Sequence, residues 1–354
     1  MYATAIGDIL KRFSSPSKDD KDSNSDDGLI VSVLGDVTYG ACCIGDLDAK
    51  ALGCDLLVHY GHSCLVPMTT TAVPCLYVFV EIRIDVRHFV ECVVASVPVG
   101  TRCELMGTIQ FRSAVAEAAK LLNSDSEMYG GARPCRIPQA KPLSPGEVLG
   151  CTAPSIVESD DSDVETVLLF IADGRFHLEA AMIANPKLRA LRYDPYSKVL
   201  TEEGYDHDHM KRLRLVAIKQ AARENVKVFG IILGTLGRQG NPAILSNIRR
   251  KLKAHGKRSF VILMSEVFPK KLQMLPQADA WVQVACPRLS IDWGHFFDKP
   301  ILSSYELEVC LGEASSQWSE TGSNVPYPMD FYSRDSGIWT NYHDHNKNRV
   351  FQHS

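Results

Sequence analysis

The chain has 354 residues, enough for two or three domains that each bury a core of their own. Hydrophobic residues make up 45% and charged residues 23%, as in globular proteins, and a formal net charge of −4 gives no global attraction to nucleic acid. The longest apolar runs, such as 167–172 and 228–233, fall far short of the ~20 residues that cross a bilayer.

Residues 1–13 read as an amphipathic helix with Asp8, Lys11 and Arg12, not as a signal peptide, so an intracellular, cytoplasmic protein without a membrane anchor is expected. Residues 14–28 are Ser, Asp, Lys and Asn with no apolar period, which predicts a disordered insertion. From there the pattern alternates short apolar runs with helical stretches. Strands are expected at 29–34, 56–59 and 76–82, a helix at 109–122, a strand at 167–172, a helix at 210–224, a strand at 228–233, a helix at 243–255, and strands at 259–264 and 280–284. That alternation is the signature of α/β units with mostly parallel sheets. An acidic break lies at 157–163, and the stretch from 313 to 354 is polar, aromatic and aperiodic, which predicts a poorly ordered tail.

Eleven cysteines in a reducing compartment are core fillers, free thiols or metal ligands. Three have distinctive settings: Cys42 follows Tyr39-Gly40-Ala41, Cys151 sits between Gly150 and Thr152, and Cys286 precedes Pro287. Each is separated from the next by more than a hundred residues, so a local zinc knuckle or ferredoxin loop is excluded. If they act together, three distant segments converge, and three thiolates could hold an iron–sulfur cluster with one iron left open. Taken singly, each also fits a small buried residue. Cys54, Cys75, Cys92, Cys103, Cys135 and Cys310 lack such context and are read as structural, with Cys43 and Cys64 between the two groups.

Polar residues gather where strands end, which is where open parallel sheets bind ligands. His59 and His62 close one strand. Asp173-Gly174-Arg175-Phe176-His177 closes another, and Arg175 could hold a carboxylate through two parallel hydrogen bonds or close the loop as a salt bridge. The stretch Gly234-Thr235-Leu236-Gly237-Arg238-Gln239-Gly240 joins a strand to a helix and can aim N–H groups at an anion, although it is neither a P-loop nor a dinucleotide fingerprint. Glu202-Glu203, the run 206–209, His343 and His345 read as solvated loops. A zinc hydrolase is disfavoured, because no general base stands at helical spacing from a ligand pair.

Six motifs occur together: Gly35-Asp-Val-Thr-Tyr-Gly-Ala-Cys-Cys, Leu57-Val-His-Tyr-Gly-His-Ser-Cys, Lys141-Pro-Leu-Ser-Pro-Gly-Glu-Val-Leu-Gly-Cys, Asp173-Gly-Arg-Phe-His, Thr235-Leu-Gly-Arg-Gln-Gly and Val284-Ala-Cys-Pro-Arg-Leu-Ser-Ile-Asp-Trp-Gly. In that order they closely resemble the diphthamide synthase family, in its subunit 1 branch, from about Met1 to Tyr332. The resemblance implies three similar α/β domains, at 1–103, 104–204 and 205–312, arranged around a central cluster site. It implies one 4Fe-4S cluster on Cys42, Cys151 and Cys286, with S-adenosylmethionine engaged at the free iron. The reaction implied is radical transfer of the 3-amino-3-carboxypropyl group to a histidine of elongation factor 2. Arg175, His177, His59 and the loop residues Gly234, Thr235, Gly237, Arg238, Gln239 and Gly240 are the expected S-adenosylmethionine contacts. The implied partners are a paralogous second subunit in a heterodimer and a small iron protein that donates electrons.

Family members carry a further strand ahead of the helix matched by 1–13, so an amino-terminally short form is expected, with a first domain of lowered stability. Its alternative role is a non-catalytic scaffold for the paralogous subunit.

Overall fold

A computed structural model describes residues 2–13, 29–35, 44–60, 66, 68–124, 129–141, 143–156, 164–320, 324–330, 332 and 337–340. The chain forms two compact units, Met1–Tyr39 and Gly40–Ser354. The expected insertion at 14–28, the acidic break at 157–163, Cys42, Cys43, Cys64, His62, His343 and His345 all lie outside the described residues.

In the first unit, helix α1 (Tyr2–Phe13) places Lys11 and Arg12 in its last turn, where the negative end of the helix dipole favours them. A Cβ at Gly7 would stand 3.1 Å from Val31, so this glycine lets residues 29–35 run close to the helix. Those residues were expected to form a strand, yet they pair with nothing among the described residues, and Ile30 is 88% exposed. An apolar β-branched run supplies only half of a strand; a partner must take its N–H and C=O groups.

The second unit contains three sheets. After α2 (Asp46–Ala51), β1 (Leu57–Tyr60) and β2 (Cys75–Val78) pair in parallel, with His59 opposite Tyr77, over a small core of Ile44, Val66 and Cys75. Next come α3 (Val86–Ser96), β3 (Arg102–Gly107) and α4 (Arg112–Leu122), the last burying Ala114, Val115, Ala118, Ala119 and Leu122 on one face. Residues 109–111, expected within this helix, form a tighter 3₁₀ turn ahead of it.

β4 (Cys135–Arg136), β5 (Thr166–Ile171), α5 (Phe176–Ala184), β6 (Arg189–Asp194) and β7 (Val199–Glu203) complete a five-stranded sheet. Its order is β4-β3-β5-β6-β7, parallel except at β7. The third sheet is built from α6 (His207–Ala221), β8 (Val228–Gly234), α7 (Pro242–Ala254), β9 (Arg258–Met264), α8 (Pro269–Gln273), β10 (Ala280–Val284), α9 (Pro287–Trp293), β11 (Ile301–Ser303) and α10 (Ser304–Cys310). It runs β11-β10-β8-β9, parallel throughout. The run 206–209, read as a solvated loop, opens α6: the Asp206 carboxylate caps the helix by accepting from the His209 N–H at 2.8 Å.

One continuous apolar core crosses from the second sheet to the third. It joins Leu168, Phe170, Ala180 and Ile183 to Phe229, Ile231 and Val282. Past 312, where little order was expected, Trp318, Tyr327, Met329 and Tyr332 are buried in the same core. Their spacing has no period because they reach the core from separate short segments, Trp318 from a 3₁₀ turn, and meet there, with the Trp318 and Tyr327 rings edge-on at 4.8 Å. Trp318 Nε1–H donates to the Tyr305 hydroxyl at 2.7 Å, and that hydroxyl donates to the Ser315 carbonyl at 2.6 Å.

Candidate functional site

The carboxyl ends of β3, β8 and β10 carry the segments that the sequence singled out. Gly107, the last residue of β3, donates to the Gly146 carbonyl at 2.8 Å, and its own carbonyl accepts from the Val148 N–H at 3.2 Å. The 143–152 loop therefore hangs from the end of that strand. Leu149 and Thr152 exchange both backbone hydrogen bonds, at 2.9 and 3.3 Å, so Gly150 and Cys151 form the tip of a two-residue turn. The Thr152 hydroxyl reaches Asp330 Oδ1 at 3.1 Å, which ties this turn to the carboxyl-terminal segment.

Cys286 occupies the N-cap of α9, immediately before Pro287, whose fixed φ suits the first helical turn. The buried Gln283 donates through Nε2 to the Cys286 carbonyl at 3.1 Å and to Ser290 Oγ at 3.0 Å. Arg288, in the first turn of α9, is 3% exposed and reaches three segments. Its Nη1 donates to the carbonyls of Phe176 at 2.9 Å and Gly150 at 3.2 Å. Its Nη2 donates to Glu179 at 2.5 Å, and its Nε donates to Asp292 at 2.8 Å. Its guanidinium also lies 4.3 Å from the centre of the Phe176 ring. Burial works against the Arg288 charge, and Asp292 with Glu179 more than restores it, so its pKa is raised.

Gly150 faces that same ring. A Cβ there would stand 2.0 Å from Phe176 Cε1, which explains why a residue without a side chain precedes Cys151. Gly234 plays a similar part beside Cys286, because its Cβ would meet Ala285 Cβ at 2.8 Å. The glycine-rich loop thus runs against the Cys286 segment. Within it, the Thr235 N–H donates to the Met264 carbonyl at 2.9 Å, Gly237 takes φ +54°, Gln239 is buried, and Gly240 packs on the Gly234 carbonyl.

The two predicted arginines are engaged inside the protein. Arg238 Nε donates to Asp46 Oδ1 at 3.0 Å, its Nη2 pairs with Asp46 Oδ2, and Nη2 also reaches the Thr70 carbonyl at 3.2 Å. Burial alone would raise the Asp46 carboxyl pKa; the Arg238 pair and the Ala72 N–H outweigh it and bring it below the usual range. Arg175 occupies the N-cap position of α5 without a capping hydrogen bond from its side chain, and donates to Glu179 and Glu203, each at 3.0 Å, and to the Gly204 carbonyl at 2.9 Å. One N–H each on Nη1 and Nη2 is not used by these three bonds, and the side chain is 50% exposed. His177 lies in the first turn of α5, with its ring edge-on to Phe176 at 5.5 Å. His59 is buried on β1, edge-on to Tyr77 at 5.5 Å.

Among the described residues no three of His, Cys, Asp or Glu gather as a metal would require; Cys42 is outside that set. Among the described residues, Cys75, Cys103 and Cys135 are buried in the apolar cores. Burial pushes Cys103 up to about 12 and Cys310 up to about 11, far from the thiolate that a metal takes. Arg288, Asp46, Glu179 and Asp292 were not singled out from sequence. The only local signals were the i,i+4 spacings Arg288–Asp292 and Arg175–Glu179, which suit one helix face.

Comparison with known proteins gives a consistent result. Residues 1–322 match a family model described as "Putative diphthamide synthesis protein". The chain is 48% identical over 345 residues to 2-(3-amino-3-carboxypropyl)histidine synthase subunit 1 of Gallus gallus, covering 97% of this chain and 76% of that protein. It is 49% identical over 346 residues to the Homo sapiens protein of the same name, covering 97% and 71%. Among solved structures, Dph2 from Pyrococcus horikoshii with a 4Fe-4S cluster superposes with a TM-score of 0.66 at 29% identity, over 86% of this chain and 81% of that one.

Proposed function

Since the chain belongs to the diphthamide synthesis family, we propose that it is a transferase that moves the 3-amino-3-carboxypropyl group of S-adenosylmethionine to a histidine of elongation factor 2. The observation that carries this reading is the joining of two cysteine-bearing strand ends: Arg288, two residues after Cys286, donates to the carbonyl directly before Cys151. Cys151 and Cys286 fit an iron–sulfur cluster by donor type, since soft thiolates suit iron, and by position, since both stand at loop tips beyond parallel strands. With Cys42 they would hold a 4Fe-4S cluster. When bound and reduced, that cluster supplies the electron that breaks the bond from sulfur to the γ-carbon of S-adenosylmethionine.

The chain's own groups then bind and orient. Gly234, Thr235, Gly237, Arg238, Gln239 and Gly240 form a wall beside Cys286, held in place by the pair of Arg238 with Asp46. Arg175 and His177, in the loop and first turn of α5, offer donors to the amino-acid end of the substrate, with His59 on the first sheet. The partners are a paralogous second subunit and a small iron protein that donates electrons, in the cytoplasm. No helix among the described residues is long and apolar enough to cross a membrane.

Anaerobic reconstitution tests the ligand set. Wild type should take up about four irons per chain, and a variant with Cys42, Cys151 and Cys286 all changed to Ala should take up none. Transfer is tested with S-adenosylmethionine labelled in its aminocarboxypropyl carbons, elongation factor 2, the second subunit and a reductant. An iron-loaded chain that places no label on the factor would refute the reaction.

A further inference from the structure

Two loops that lie far apart in sequence meet through a single side chain. The carbonyl that Arg288 takes from Gly150 belongs to the peptide bond leading into Cys151, and Arg288 itself stands in the first turn of the helix that Cys286 caps. The Phe176 ring lies against the backbone of Gly150 and 4.3 Å from the guanidinium, so it touches both. Glu179 and Asp292 fix both ends of the fork. We infer that Arg288 is the positioning residue of the cysteine cradle, holding the Cys151 turn and the Cys286 helix at the separation a cluster needs before any metal arrives. This inference rests on the assignment of Cys151 and Cys286 as ligands.

Three physical arguments support the assignment. A guanidinium is planar with donors in fixed directions, so four acceptor groups on α9, α5 and the Cys151 turn define its plane, and the plane in turn defines their relative positions. A lysine offers one flexible point charge and cannot reach the Gly150 and Phe176 carbonyls while pairing with Glu179 and Asp292. The cation is buried, and its recorded hydrogen bonds go to backbone carbonyls and carboxylates of the protein itself, as suits a residue that positions others. A site held in this way binds its metal without the cost of bringing separate loops together. Groups that orient metal ligands typically change metal affinity by about 10- to 100-fold when removed.

The test compares wild type with R288M and R288K, and with E179Q, which removes the charge of one acceptor while keeping an oxygen that can accept the Arg288 hydrogen bond. C286A serves as the ligand control. Circular dichroism and melting monitor the fold. After anaerobic reconstitution, R288M and R288K should lose iron to a chelator about tenfold faster than wild type or more. The reduced cluster should show shifted electron paramagnetic resonance g-values, with E179Q intermediate. Wild-type iron retention and g-values in both Arg288 variants, alongside iron loss in C286A, would overturn the inference. A second arm needs no metal: apo-protein is treated with dibromobimane, and the Cys151–Cys286 cross-link is quantified by peptide mass spectrometry. A yield at least fivefold lower in R288M upholds the positioning role, and equal yields reject it. Should C286A hold as much iron as wild type, the ligand assignment fails, and this apo-protein arm alone decides the role of Arg288.

Discussion

At the scale of single residues, the ion pair of Arg214 with Glu306 is buried on both sides, its side chains being 1% and 0% exposed. Nε and Nη2 meet the two carboxylate oxygens at 2.6 and 2.7 Å, while Nη1 and Nη2 also serve the Ser290 and Ile301 carbonyls at 2.7 Å. The Tyr327 hydroxyl donates to the same carboxylate at 2.6 Å, and burial together with that carboxylate holds the phenol far above its ordinary pKa, so it stays a donor. Gly294 leaves the room, since a Cβ there would stand 2.2 Å from Arg214 Nη1. Removing one ion strands the other in a dry core, so Arg214→Met or Glu306→Gln should each cost about 3–5 kcal/mol in urea unfolding. The double change to apolar residues should recover most of that loss. Gly150→Ala is milder, because the atom it strikes is the rim of Phe176, a ring 46% exposed and able to swing outward. We expect a loss of about 1–3 kcal/mol, and no loss at all when the same change is made in a Phe176→Ala background.

At the scale of elements, the sequence was most readable where a strand is buried on both faces. β5, β8 and β10 lie within a residue of the expected runs, because central parallel strands are continuous apolar stretches, and the edge strand β9 matches as closely because its own apolar run is unbroken. β3 escaped notice because Glu104 interrupts it; that carboxylate is accepted into the sheet only by the Arg136 fork from the neighbouring strand, at 2.8 Å. β6 and β7 were hidden by charges that pair across the strands, Arg189 with Glu202 and Arg192 with Glu203. The cysteines of the site were legible from flanking Gly and Pro, but their supports were not, since an arginine does not announce a partner more than a hundred residues away. Arg238 is such a case, joining the glycine-rich loop to α2 through Asp46. The folded pKa of Asp46 is depressed below its unfolded value near 3.8, so its stabilising contribution is present above that value and is lost as pH falls through the folded value. The stability difference between wild type and Asp46→Asn should therefore be flat from pH 7 to about 4.5 and close toward pH 3. Urea midpoints across that range measure it, and a difference that widens on acidification contradicts the pairing.

For the whole molecule, the decisive property is that the second and third sheets of the Gly40–Ser354 unit share one core. Separate cores would let each sheet open by itself, and the two cysteine loops would then drift independently. A shared core forbids this, because unpacking either face exposes apolar surface on both. Phe170, 0% exposed on β5, belongs to the cluster that also contains Phe229 and Val282 on the third sheet. Phe170→Ala should cost about 3–5 kcal/mol, through lost burial and the cavity left behind. In hydrogen exchange followed by mass spectrometry, protection should fall together in peptides covering β5, β8 and β10, while β1 and β2, over their own small core of Ile44, Val66 and Cys75, keep theirs. Loss confined to β5 and its neighbours β3 and β6 would mean that the sheets are energetically independent. In that case the spacing of Cys151 and Cys286 would depend on Arg288 alone. With the shared core, Phe170→Ala should also speed iron loss from the reconstituted protein, because Phe170 belongs to the same cluster as Val148, Leu149 and Cys151.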